Sequence, residues 1–133
     1  MNWSIIPASW SGPLLSVLRI VAGLLLLAHG VHKFFNFPAP FPFPLNGMMY
    51  AAGVIELVGG ALLMLGLATR LSAFVCSGFA AAAYWIGHAP QSPFPVANGG
   101  DAAILFCFVF LYIAAAGPGP WSVDAMRARE PVT

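Results

Sequence analysis

This sequence is short of charge. Only 7% of its 133 residues are Asp, Glu, Lys or Arg, against about 25% in an average soluble domain, too few to coat a globule of this size in water. A soluble monomer is thereby excluded. Five basic and four acidic side chains leave a formal net charge of +1, so no basic surface exists for nucleic acid. Cysteine is equally scarce: Cys76 and Cys107 sit inside apolar runs, far apart and without a CxxC spacing. They read as buried thiols rather than as a disulfide framework. No haem, flavin or iron–sulfur motif occurs, and the histidines lack HxxxH or HExxH spacing, so no metal site is expected.

What is present is hydrocarbon. The composition is 60% hydrophobic with a mean hydropathy of +0.87. Apolar runs cover about residues 14–35, 45–67, 70–88 and 99–116, close to the roughly 17 to 25 residues a helix needs to cross a bilayer. Backbone amides find no water in lipid, so segments of this length span as helices. The expected fold is an all-α, polytopic membrane four-helix bundle forming one transmembrane domain over residues 1–133. Arg19, Arg70, Arg127 and Arg129 fall on one side of it and Lys33 on the other, which predicts cytoplasmic termini by the positive-inside rule. Residues 1–13 carry no signal-peptide pattern, and Trp3, Ile5, Ile6 and Trp10 suggest an interfacial segment. A second is expected at 121–130, after Gly117-Pro118-Gly119-Pro120 stops the last span. There Trp121 re-anchors the chain, and Ser122 with Asp124 can cap a short helix.

The halves resemble each other. Pro42-Phe43-Pro44-Leu45-Asn46-Gly47 and Pro93-Phe94-Pro95-Val96-Ala97-Asn98-Gly99 precede the second and fourth spans, while Arg19-Ile20-Val21-Ala22 and Arg70-Leu71-Ser72-Ala73 begin the first and third. Two repeated helical hairpins would produce this pattern.

Ionisable groups inside lipid are costly and point to function by default. Glu56 lies roughly 15 Å below Asn46 at 1.5 Å per residue, too deep to reach water, so it must be protonated or paired. His29 lies at about the same level and Arg19 is the competing partner. His29, His32 and Lys33 share one patch at i, i+3 and i+4. His88, Asn98 and Asp101 lie at the same outward edge, with Asn98 placed to cap the fourth helix. All seven outward residues, His29, His32, Lys33, Glu56, His88, Asn98 and Asp101, can converge on one polar pocket.

His29-Gly30 with Lys33, Glu56-Leu57-Val58-Gly59-Gly60, Leu65-Gly66-Leu67-Ala68-Thr69-Arg70, Asn98-Gly99-Gly100 and Gly117-Pro118-Gly119-Pro120-Trp121-Ser122-Val123-Asp124 resemble, as an ordered set, the DoxX family. The resemblance runs over about residues 14–126. It implies a small four-helix integral protein of a bacterial cytoplasmic membrane, tied in some members to thiosulfate or thiol oxidation, quinone-linked electron transfer or oxidative-stress complexes. The family's recurring polar positions fall on Arg19, His29, Lys33, Glu56 and Asn98. After Asn98-Gly99-Gly100 an aromatic–Glu pair is frequent in the family, whereas Asp101-Ala102 stands here.

Three functions are compatible with these residues. One is a redox-associated subunit holding a quinone or small sulfur compound near Glu56 and His29, with electrons supplied by a partner. Another is an accessory or assembly subunit of a larger membrane complex, or a homo-oligomer. The third is a small transporter. No residue is assigned a catalytic role from sequence.

Overall fold

The structure, a computed structural model, describes residues 3–129; residues 1–2 and 130 of the expected interfacial segments lie outside this range. Its elements are α1 (Ser11–Phe35), α2 (Gly47–Leu65), α3 (Thr69–Gly87), the single turn α4 (Pro95–Asn98), α5 (Asp101–Ala116) and α6 (Val123–Ala128). Single 3-10 turns at Ala8–Trp10 and Ala89–Gln91 precede α1 and follow α3. No strand occurs among the described residues. Helices α1, α2 and α3 are each long and apolar enough to cross a membrane, and α5 is a shorter apolar helix. The protein is an integral membrane protein.

Helix ends follow from identifiable residues. Asn46, in extended conformation, accepts the Met49 amide at 2.9 Å and starts α2. Gly66 ends it: at φ 68° its amide reaches Leu63 O while Leu67 N reaches Leu62 O, the paired bonds of a Schellman cap. In the fourth apolar run, Gly99 adopts φ 71° and separates α4 from α5. Asn98 therefore does not cap the long helix. Gly100 occupies that cap position, and the Asn98 side-chain oxygen accepts the Gly100 amide at 2.8 Å.

Helix α1 packs chiefly on α2 and α3 chiefly on α5, with a slighter seam between the pairs. Small residues set the α1–α2 distance. A Cβ on Gly60 would stand 2.7 Å from Leu27 N and 2.8 Å from Gly23 O, backbone atoms that cannot rotate away. In lipid, where burial of apolar surface gives helices no advantage over contact with acyl chains, such close approach is what holds them together. Leu26, Leu63, Ala73, Cys76, Phe110 and Ile113 are buried where the two pairs meet.

At the end where the described chain starts and finishes, charged side chains close the helix ends. Arg19 is fully buried; its Nε donates to Leu63 O at 2.8 Å, its Nη2 to Trp121 O at 2.7 Å, and its Nη1 to Pro118 O. Arg70 donates to Ala114 O and Ala115 O at 3.1 and 2.5 Å. The same 51-residue offset separates Arg19 from Arg70 and Leu63 from Ala114. Ser122 caps α6 by accepting the Ala125 amide at 3.0 Å. Asp124 serves α3 instead, accepting the Ala68 and Thr69 amides at 3.0 and 2.9 Å. Partial burial pushes the Asp124 carboxyl upward, but the Thr69 and Ala68 hydrogen bonds and the Arg127 charge outweigh it and hold the group below its ordinary range.

Two outcomes are expected. Gly60→Leu forces α1 and α2 apart and lowers stability by about 1–3 kcal/mol or more in a detergent melting series, whereas Gly78→Ala, which meets nothing within 4 Å, leaves it unchanged. For Asp124, a depressed folded pKa gives stability that is present above the ordinary aspartate value of about 3.9 and lost as pH falls through the folded value. The melting temperature should therefore drop with acid below about pH 4 more steeply than in Asp124→Asn, which should already melt lower at neutral pH.

Candidate functional site

The deep carboxylate read from sequence is met by Lys33. Lys33 Nζ lies 2.7 Å from Glu56 Oε1 and 2.8 Å from Oε2, with side-chain exposures of 12% and 5%. Axial counting favours His29 as the partner, and side-chain direction reverses that choice. Side chains on a helix lean toward its N-terminus, so Lys33 leans back down α1 while Glu56, on the antiparallel α2, leans outward to meet it. His29 makes no hydrogen bond to the carboxylate: it is exposed, its Nδ1 donates to Leu25 O at 2.7 Å, and its ring meets Phe106 edge-on at 5.9 Å. Because a carbonyl oxygen only accepts, Nδ1 is the donor in that bond. Arg19 belongs to the opposite end of α2; its carbonyl partner Leu63 is about 10 Å along the helix from Glu56.

The loop between α1 and α2 covers the ion pair. Asn36 turns the chain at φ 51° and its Oδ1 accepts the Phe41 amide at 3.0 Å. This places the Phe41 ring 5.6 Å from Lys33 Nζ and 5.3 Å from the His32 ring. A cation over an aromatic face gains about 0.5–2 kcal/mol, more when desolvated. Phe34 and Tyr50, from α1 and α2, stack on each other at 5.8 Å. Phe34 and Tyr50 carry no signal in the sequence, whereas Phe41 lies in the proline-dense segment 37–44, whose phenylalanines water alone does not explain and which is expected to fold over the helix ends.

His88, Asn98 and Asp101 do not join this site. Asn98, 4% exposed, donates to Ser92 O at 3.0 Å and the Tyr84 hydroxyl at 3.2 Å. His88 Nδ1 donates to Asn98 O at 3.0 Å. Together they fasten the α3–α5 connection. Asp101 is exposed in the first turn of α5. The expected single pocket of seven residues is thus two separate clusters, one around Lys33–Glu56 and one around Asn98. Tyr84 stands at the 51-residue offset from Lys33 and Cys107 at that offset from Glu56, so the second helix pair carries no counterpart of the ion pair. Cys76 and Cys107 are free thiols, and Cys107 is held instead to Ser77, whose hydroxyl donates to Cys107 O at 2.7 Å.

Breaking the pair from one side leaves a charge stranded in the bundle, which costs about 3–5 kcal/mol at a buried site. Lys33→Met and Glu56→Met should each melt markedly lower than the parent in lipid discs. The double variant should recover most of the loss, so that the coupling energy in the cycle approaches the sum of the two single losses, several kcal/mol.

Residues 14–89 match the DoxX family model, a segment that holds most of α1 and all of α2 and α3, together with Arg19, Lys33 and Glu56. The chain is similar to an uncharacterised protein of Haemophilus influenzae, 42% identical over 118 residues that cover 83% of this chain and 87% of that protein. A shorter stretch is similar to a Bacillus subtilis protein named "Putative oxidoreductase CatD", 36% identical over 61 residues, 41% of this chain and 45% of that one. No solved structure matches. With the family model matching more than half of its length and the Haemophilus relative aligned along most of both chains, the chain belongs to the DoxX family.

Proposed function

We propose that this DoxX-family protein is a redox-associated membrane subunit in which the Lys33–Glu56 pair meets a quinone headgroup or a small sulfur anion. The observation that carries the reading is an ion pair held inside an apolar helix pair, with the Phe41 ring beside Lys33 and with His29 and His32 on the same helix. Charges are retained in hydrocarbon at a cost of about 2.5–3.5 kcal/mol each on insertion scales, and a purely structural pair is readily replaced by apolar packing. Phe41 offers a stacking face to a planar ring. Lys33 supplies a donor to a carbonyl or anionic oxygen, and His29 Nε2 and Glu56 can hand on protons. Partial similarity to a protein named as an oxidoreductase supports the redox class. Electrons come from a partner protein, in keeping with a chain that has no haem, flavin or iron–sulfur motif.

This reading places the protein in a bacterial cytoplasmic membrane with four spans and both termini inside. The matched arginine–carbonyl contacts of the two helix pairs support two repeated hairpins. A second reading, an accessory or assembly subunit, is favoured by Arg19, Arg70, Asn98 and Asp124, all committed to holding helix ends together.

Titration of the protein in lipid discs with decylubiquinone, and separately with thiosulfate, followed by tryptophan fluorescence, separates the two. The redox reading expects saturable binding of one of them, weakened about tenfold or more, 1.4 kcal/mol, by Lys33→Met or Glu56→Gln. Binding of neither, with stoichiometric co-purification of a partner that survives both substitutions, gives the accessory reading.

A further inference from the structure

The end of the bundle opposite the ion pair carries a hollow that the proposed function does not use. It holds about 300 Å³ and is lined by Trp10, Pro13, Leu14, Val17 and Trp121. That volume lies at the low end of the roughly 300–1,000 Å³ of small-molecule sites, enough for part of one acyl chain. The hollow is held open by fixed parts. Ser16 Oγ accepts the Trp121 amide at 3.1 Å and Arg19 Nη2 donates to Trp121 O at 2.7 Å, so α1 grips both polar atoms of the Trp121 backbone. A Cβ on Gly12 would stand 3.4 Å from Pro120 Cδ, which shows how closely the Gly117–Pro120 segment lies on the start of α1. The two indoles, 54% and 58% exposed, flank the hollow at the level tryptophan favours, the boundary of headgroup and acyl chain.

Charge accompanies this apolar slot. α6 leads away from Trp121 and carries Arg127 in its last turn, about 9 Å along at 1.5 Å per residue, with Arg129 just beyond; both are exposed. Asp124, the acid nearest Arg127 among the described residues, is engaged with the Ala68 and Thr69 amides.

We propose that this corner binds an anionic phospholipid, one acyl chain lying between Trp10 and Trp121 along Leu14 and Val17, and the phosphate meeting Arg127 and Arg129. An apolar slot flanked by indoles suits a chain, and two exposed arginines on the short helix that follows Trp121 suit a phosphodiester. Each basic residue near an anionic lipid surface is worth about 1 kcal/mol, so a pair selects charge without excluding neutral lipid. The site is independent of Lys33–Glu56.

The full-length protein is delipidated in mild detergent and titrated with phosphatidylglycerol and phosphatidylcholine of identical chains, with bound lipid counted by native mass spectrometry. Phosphatidylglycerol should bind about thirtyfold tighter. Arg127→Gln/Arg129→Gln should bring the two lipids level without abolishing binding, and the double Arg→Lys variant should keep much of the preference. Trp121→Ala should weaken both lipids while the melting temperature and the Lys33–Glu56 cycle stay as in the parent. Equal binding of the two lipids by the parent, a preference that survives the Arg127→Gln/Arg129→Gln substitution, or a dimer that covers Trp10 and Trp121 and excludes lipid from the hollow would overturn the proposal.

Discussion

Every polar group that enters the hydrocarbon must find its partner within the protein, and this constraint organises the whole molecule. Water cannot complete the last carbonyls of α2 and α5, so Arg19 and Arg70 do. Nor can it solvate Glu56, so Lys33 reaches back along α1 to it. Each of these cations thereby becomes a tie between helices rather than a surface charge. The glycines that bring α1 and α2 into backbone contact act in the same direction, because only a close approach allows short side-chain bonds across the pair.

The two helix pairs use this logic differently. At the terminal end they are alike, each with an arginine on the carbonyls of its partner helix at one shared offset. At the other end they diverge. The first pair carries Lys33 and Glu56, while the second carries neutral Tyr84 bonded to Asn98, with Cys107 at the level where the first has its carboxylate. A shared frame with one charged and one neutral half is what separates the candidate site from the scaffold. It also explains why Asn98 and His88, polar residues at the same edge, fasten a loop instead of joining the ion pair.

Much of this was legible in the sequence, and its limits have physical causes. Apolar length gave the helices and the Gly117–Pro120 run marked the end of the last, because breaker residues act locally, whereas the expected span 45–67 ran past the Asn46 and Gly66 caps that bound α2. Glu56 stood out because depth along a helix can be counted. Its partner could not be found by counting: rise per residue gives the level of a Cα, whereas pairing depends on which way side chains lean and on the rotation of each helix about its axis. Lys33, one turn above the expected level, is long enough to make up the difference, and His29 is turned toward Phe106. The Asn98 role escaped for a similar reason, since an asparagine beside Gly-Gly reads as a helix cap until Gly99 takes a left-handed turn and moves the helix start beyond it.

The central claim is that Lys33–Glu56 is an ionised pair that a redox ligand engages. Infrared spectroscopy of the protein in lipid discs, with the Glu56 band identified by its loss in Glu56→Gln, measures this directly. The account requires an ionised carboxylate band without ligand that shifts when decylubiquinone or thiosulfate is added. A protonated Glu56 in the ligand-free protein, or a carboxylate band unmoved by either compound at saturating concentration, would contradict it.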